Sequence, residues 1–386
     1  MPITFAEPVN NSIKSLVDIC YAHLQVSPKG TLISKPVNEI YQAQYEFDND
    51  QNEYPEDEGD VSSVSEPIQA YPFTPSNRII NNFIIAVDSG VVPLGQIIGG
   101  GVAFAIRGAA ICYANENLLV LTYNSGPLLI TPQNKPFVFR YIGQRLGEPS
   151  LYIDLKDGKL IPQPSAVDTP NQIEDRCRSF IERIIQEEAI AVLKANGGGI
   201  LLLDGALTHG FDTPKTYLKT MLKTAETNKI DVCAISKKSR IMIGGISIDS
   251  LFDQHPYFVG FAPLMKTINK EREAYIKLKI RSAKDITAGT EVFAARFGFG
   301  PPGLTFRVDV YNTFGSTNED VINDIYSKCR ITGGYPKPLI DAHHYSTFLG
   351  GDILSLQADL VARTGLKIKE EPSLGILFQP FGAFGK

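Results

Sequence analysis

The sequence predicts an α/β protein built on one mixed sheet, an antiparallel meander continued by parallel strand–helix units. Three observations predict it. The stretches "NRIINNFIIAVDSG", "QIIGGGVAFAIRGAAICYA" and "ENLLVLTYNSG" read as successive strands joined by short Gly- or Asn-containing turns, with no helix between them. "GGGILLLDGALTHG" contains an apolar run, Ile200–Leu203, without alternation, as in a strand buried on both faces. Around it, a long helical pattern, this strand, a second helix and a further strand alternate, which is the signature of parallel pairing. Together these make the arrangement of an RNase H-like core, flanked by helices and with strands and helices added at its C-terminal side.

The elements follow in order. "NNSIKSLVDICYAHLQ" places Ile13, Leu16, Val17, Cys20 and Leu24 at helical spacing. The acidic stretch "EFDNDQNEYPEDEGD", residues 46–60, reads as a solvated, flexible insertion. These divide the chain into residues 1–79, a helix plus the acidic insertion, and 80–386, the main domain. The long helix spans about 170–195, opened by Thr169-Pro170 and closed by Asn196-Gly197. "TPKTYLKTMLKTAETNK" predicts the second helix and "DVCAISKKS" the following strand. From about 255, "PYFVGFAPL", "AYIKLKIRS", "VFAARFGF" and "LTFRVDVYN" read as strands. A helix near 318–330 and a single longer one over about 338–364 follow. The aromatic, Gly-rich end "ILFQPFGAFGK" reads as a docked strand. No internal repeat is visible.

Composition bounds the function. The 386 residues are 43% hydrophobic and 20% charged, enough for a sizeable core, and no apolar run reaches the roughly 18–20 residues of a membrane span. No secretory leader is visible at the start. The five cysteines are widely spaced without a C-x-x-C pair, which speaks against a zinc site or disulfide framework and for a reducing, cytoplasmic compartment. A net charge of −5 argues against coating nucleic acid by bulk attraction, although a local basic groove is compatible with it. The "GGG" runs match neither a dinucleotide nor a P-loop fingerprint, and no G-x-S-x-G occurs.

Two buried strands end on a carboxylate, Asp88 in "AVDSG" and Asp204 in "LLLDG". In the expected sheet these strands are neighbours, so the carboxylates lie side by side and repel by ~4 kcal/mol at intermediate dielectric. A proton, a Lys or Arg, or a metal must offset that. Oxygen ligands suit Mg²⁺ or Mn²⁺, and two such ions clamp the attacking and leaving oxygens of a phosphodiester. Each D-S-G or D-G is equally readable as a turn that ends a strand. The long helix offers Glu174, Asp175, Glu182, Glu187 and Glu188 as further acids, and its periodicity does not choose among them. Lys215, Lys219 and Lys223 form one basic helical stripe, either a solvated face or one that tracks phosphates. His343 and His344 point about 100° apart on a helix, so they do not share one ion.

"AVDSG", "ILLLDGAL", "CAISKKS", "LTFRVDVY" and "GGYPKPLIDAHHYS", in this order between about 80 and 365, resemble the signatures of the NurA nucleases. The resemblance implies an RNase H-like, manganese-dependent enzyme of DNA end processing and repair, with 5'–3' exonuclease and single-strand endonuclease action. It places the catalytic residues at Asp88, Glu187, Asp204, Tyr335 and His343, with Asp88, Glu187, Asp204 and His343 on metal. Glu188 and Glu182 compete with Glu187. It matches the family's strand lysine to Lys237 and its strand arginine to Arg307, as nucleic-acid contacts beside the Lys215, Lys219 and Lys223 stripe. It further implies Mn²⁺ (or Mg²⁺), two ions, single-stranded DNA and duplex ends as substrate, a homodimer and a HerA-type hexameric ATPase as partner. The motif is D-S-G here where the family more often has D-G-S. An RNA or junction nuclease of the same fold and an inert DNA-binding scaffold for such a motor are the alternatives.

Overall fold

The computed structural model describes residues 7–24, 30–46, 60–61, 70–74, 83–98, 100–114, 117–237, 239, 242–243, 246–247, 274–278, 291–298, 304–313 and 315–370. Residues 47–59 of the acidic stretch, the strand expected in "PYFVGFAPL" and the aromatic C-terminal stretch lie outside them. In chain order the elements that build the site are α1 (Glu7–Ala22), β1 (Thr31–Ser34), α2 (Val37–Glu46), β2 (Phe83–Ile97), β3 (Val102–Ala114) and β4 (Asn117–Ile130). There follow α3 (Lys135–Arg145), α4 (Pro170–Ala195), β5 (Gly199–Asp204), α5 (Lys215–Thr227), β6 (Ile230–Ser236), β7 (Ala274–Leu278), β8 (Glu291–Arg296) and β9 (Phe306–Tyr311). The last are α6 (Asn318–Lys328), α7 (Lys337–Ser346), α8 (Gly350–Thr364) and β10 (Lys367–Glu370). Among the described residues no helix is long and apolar enough to cross a membrane.

One eleven-stranded mixed sheet, counted over the described residues, runs β10-β1-β2-β5-β6-β9-β8-β7 and ends on Ala70–Pro72; β3 and β4 extend it from β2. β2, β3 and β4 are the antiparallel meander, and β5 and β6 continue β2 in parallel. α4 begins with a capping box, Thr169 accepting from the Gln172 N–H while the Gln172 side chain accepts from Thr169 N–H. Its C-terminus returns through Gly199, whose φ of +146° and close approach to Phe83 O leave no room for a Cβ.

Side chains alternate across a strand, and this alternation sorts the core into two layers. Ile85, Val87, Leu201, Leu203, Val232 and Ala234 face α1, α3, α4 and α5. Ile84, Ala86, Ile200, Leu202, Cys233 and Ile235 face α6 and α7. Asp88 and Asp204 continue the second set and Ser89 the first.

The single helix expected over about 338–364 is two. Thr347 and Leu349 are extended, and Gly350 begins α8. Asp352 accepts from the Leu349 N–H at 3.0 Å, capping the new helix, and the buried Phe348 side chain holds the corner in the core. Periodicity alone reads through such a break because both helices keep their apolar residues on the core side.

Candidate active site

β2 and β5 are in register from Ile84↔Ile200 to Val87↔Leu203, so the next residue of each, Asp88 and Asp204, emerges beside the other where that pairing stops. Only β5 ends there: the strand expected to end on Asp88 runs on to Ile97, because Ser89 and Gly90 keep pairing with Gly108 and Arg107 of β3. Neighbouring strands stand about 4.8 Å apart. Asp204 in turn opposes Ile235 of β6, and Lys237 follows two residues later, its Nζ 3.1 Å from Asp204 Oδ2. Tyr335 shares its hydroxyl hydrogen between Asp204 Oδ1 (3.3 Å) and Ile235 O (3.2 Å). Its ring packs against Phe306, with centroids 4.9 Å apart, and Lys237 Nζ lies over the ring, 5.8 Å from its centroid.

α7 closes the site from above the second layer. His343 Nδ1 is 3.1 Å from Asp88 Oδ2, and Ser346 Oγ reaches the same oxygen at 3.4 Å. Asp88 Oδ1 accepts from the Ser89 N–H at 2.7 Å. α7 comes this near because position 90 is glycine: a Cβ there would sit 2.6 Å from Ser346 O. Gly90→Ala is therefore expected to push α7 outward and to cost about 1–3 kcal/mol of stability. Chemical denaturation checks it; an unchanged midpoint would mean that α7 is not seated on β2.

Electrostatics divides the two aspartates. Burial pushes the Asp88 carboxyl up, but the His343 hydrogen bond, the charges of His343 and Lys237 and the Ser89 N–H outweigh it and hold it below the usual range. Burial pushes Asp204 up to about 6, with the Asp88 charge adding to it and Lys237 opposing it. Two basic side chains thus bear on the pair, Lys237 on Asp204 and His343 on Asp88. The two carboxylates suit Mn²⁺ or Mg²⁺, which take one or two carboxylates and leave the remaining positions to water and phosphate. Among the described residues no three His, Cys, Asp or Glu are arranged as a ready-made metal cage.

Of the residues expected from the sequence, the structure brings together Asp88, Asp204, Lys237, Tyr335 and His343. Glu187 lies elsewhere: it faces α3, where Arg145 binds both its oxygens at 2.6 and 3.2 Å. Glu188 is buried toward β4, next to the Tyr123 hydroxyl, whose pKa burial and this carboxylate raise. Glu182 is nearest. It is buried and accepts from Ser89 Oγ at 2.7 Å, one residue along β2 from Asp88 but on the opposite face of the sheet. Arg178 and Gln186 also donate to it.

Arg307 does not reach the site either. It is 2% exposed on the α4–α5 side, forked onto Asp309 at 2.8 and 3.0 Å, and Asp309 also accepts from Leu207 N–H at 2.9 Å. The pair clamps the loop that follows Asp204. Lys215, Lys219 and Lys223 lie on α5, in the layer behind the sheet from the carboxylates. Ser89, Gly90 and Ser346 carry contacts that the sequence did not assign, although Ser346 at i+3 from His343 shares its helical face.

The NurA domain family model matches residues 84–242. No curated protein matches the sequence. Among solved structures, the NurA nuclease from Sulfolobus solfataricus aligns at 14% identity and TM-score 0.45, over 84% of this chain and 94% of that one. A NurA with manganese aligns at 11% identity and TM-score 0.35, over 84% and 97%. A NurA bound to dAMP and manganese aligns at 12% identity and TM-score 0.32, over 71% and 86%.

Proposed function

We propose, from the premise that this chain is a NurA-domain protein over residues 84–242, that it is a metal-dependent nuclease hydrolysing DNA phosphodiesters on an RNase H-like core. The observation that carries the reading is the pair of carboxylates, Asp88 and Asp204, side by side just past the last paired residues of the parallel strands β2 and β5, with Tyr335, His343 and Lys237 converging on them. Asp88 and Asp204 would hold Mn²⁺ or Mg²⁺, two ions in the full site. When bound, such ions lower the pKa of the attacking water and offset charge that develops on the phosphate.

The protein's own groups supply the rest. His343, tied to Asp88, stands where it can complete the metal's ligands or pass a proton to the leaving oxygen. The Tyr335 hydroxyl is placed to donate to a phosphate oxygen, and Lys237 to pair with the backbone charge of the substrate. Contacts to the two aspartates hold these groups in place, which is what in-line displacement requires.

In this reading Glu182 is the helix acid that bears on the site, acting through Ser89, the β2 residue after Asp88, rather than from the carboxylates' own face of the sheet. Glu182→Gln is expected to lower cleavage at least ~10-fold, and Glu187→Gln to stay within about threefold while loosening α3. Equal losses from both, or a larger one from Glu187→Gln, would return the role to Glu187.

Action at duplex ends and on single strands in break repair, a homodimer, a HerA-type ATPase partner and a cytoplasmic setting belong to the same proposal and are supported by the family resemblance. Labelled single-stranded DNA, duplex DNA and RNA are to be digested with Mn²⁺, Mg²⁺ or EDTA. Cleavage of DNA that needs the metal is the expected result. Preferential cleavage of RNA would turn the reading to the RNA nuclease, and no cleavage under any condition would leave a binding scaffold.

A further inference from the structure

The corner between α7 and α8 is pinned from two sides. Arg107, paired with Gly90 across the β2–β3 ladder, donates from one guanidinium nitrogen to Thr347 O at 2.8 Å and Asp352 Oδ2 at 3.1 Å. Its Nε donates to Asn124 at 2.7 Å, and its guanidinium lies 4.4 Å from the centre of the buried Phe348 ring. From the other side, the Gln44 amide on α2 accepts from Phe348 N–H at 3.0 Å and donates to Phe348 O at 3.1 Å.

The backbone next to this corner bears the catalytic histidine. His343 O accepts from Thr347 N–H, Thr347 Oγ1 and Ser346 Oγ, at 3.2, 2.9 and 2.9 Å. Fixing Thr347 therefore fixes the last turn of α7 and the angle at which His343 meets Asp88. Arg107 makes that link from the strand pair that itself carries Asp88, so it measures the helix against the carboxylate it serves. A planar fork that stacks and bonds in three directions is specific to arginine, and lysine does not reproduce it.

We infer that Arg107 is a positioning residue for the reaction proposed above, setting His343 against Asp88 through the α7–α8 corner while itself touching neither nucleic acid nor metal. The inference rests on the nuclease reading. A displacement of about 1 Å at a reacting group costs on the order of 100-fold in rate, so a small relaxation of the corner is visible in turnover before it is visible in folding.

The test is a double-mutant cycle on the full chain, with Arg107→Gln, His343→Ala and their combination. Cleavage of labelled single-stranded DNA is followed at saturating Mn²⁺ with DNA in excess over enzyme and varied in concentration. Arg107→Gln is expected to lower kcat about 10–100-fold with KM within about twofold, and Arg107→Lys to leave most of that loss in place. In the His343→Ala background, Arg107→Gln is expected to add less than about twofold. A loss that multiplies in full onto His343→Ala, or a raised KM with kcat intact, overturns the inference, because Arg107 would then act independently of His343. Asp352→Asn is the second variant should Arg107→Gln fail to fold; it removes the charge of one guanidinium partner and is expected to show a smaller loss, again absent without His343. An inactive wild-type protein overturns the nuclease reading and the inference together, whereas an active one with additive losses overturns the inference alone.

Discussion

Asp88→Asn and Asp204→Asn are each expected to lower cleavage by at least ~10³-fold, with the double variant hardly worse than either single one, because the two carboxylates act as one unit. Their effects on stability should be opposite in sign. The folded-state pKa of Asp204 is raised, so the native protein holds that proton more tightly than the unfolded chain does. Stability then falls as pH rises from about 4 to about 6 and stays lower above that. Asp204→Asn removes this penalty. Without added metal, it is expected to melt higher than wild type at pH 8, by on the order of 1–2 kcal/mol after allowing for the lost Lys237 pair, and to lose the advantage near pH 4.

Asp88 is shifted the other way. Its ionised form contributes stability above the usual carboxylate range and loses it on acidification, so Asp88→Asn is expected to melt lower than wild type at neutral pH. Calorimetry of both variants with EDTA, across pH 4–8, checks the pair of signs. Two variants with one catalytic phenotype and opposite stabilities would identify a site strained for its ligand. Robust cleavage by either, or a lower melting point for Asp204→Asn at pH 8, would remove the assignment.

The second large effect belongs to the adjacent histidines. His343→Ala is expected to cost ~100-fold in turnover, the scale of a positioned acid or base, and His344→Ala no more than about threefold. His343 is tied to Asp88, whereas His344 is exposed and its ring centre lies 6.4 Å from that of His343. Side-by-side assays at saturating Mn²⁺ decide between them. If His344→Ala is the more damaging, the α7 face turned toward Asp88 has been misassigned.

The carboxylate pair was legible in the sequence because strand parity and parallel adjacency are local rules, and two unbroken apolar runs followed by an aspartate determine both position and face; that β2 continues past Asp88 was not, because its pairing partner there is β3. The α4 boundaries were legible for the same reason, through Thr169-Pro170 and Asn196-Gly197. The helix glutamate was not. Its identity depends on how deeply α4 sits on β3, which Gly108 sets by admitting Ile185 where a Cβ would lie 2.1 Å from Ile185 Cδ1. That is a contact between distant residues, invisible to periodicity. The α7–α8 break depends on Arg107 and Gln44, equally distant. Arg307 carried a usable signal: Asp309, two residues on, lies on the same strand face and offers an internal partner in place of a phosphate.

His343 and Asp88 are separated by 255 residues in the chain. A ribosome adding about 5–20 residues each second needs roughly 13–50 s to pass from one to the other. Throughout that interval the strand that carries Asp88 exists without the helix that completes it. If the chain is the nuclease proposed above, the growing polypeptide remains unable to cut, and any capacity to damage nucleic acid arrives late in synthesis, once α7 has been made and has seated over Gly90.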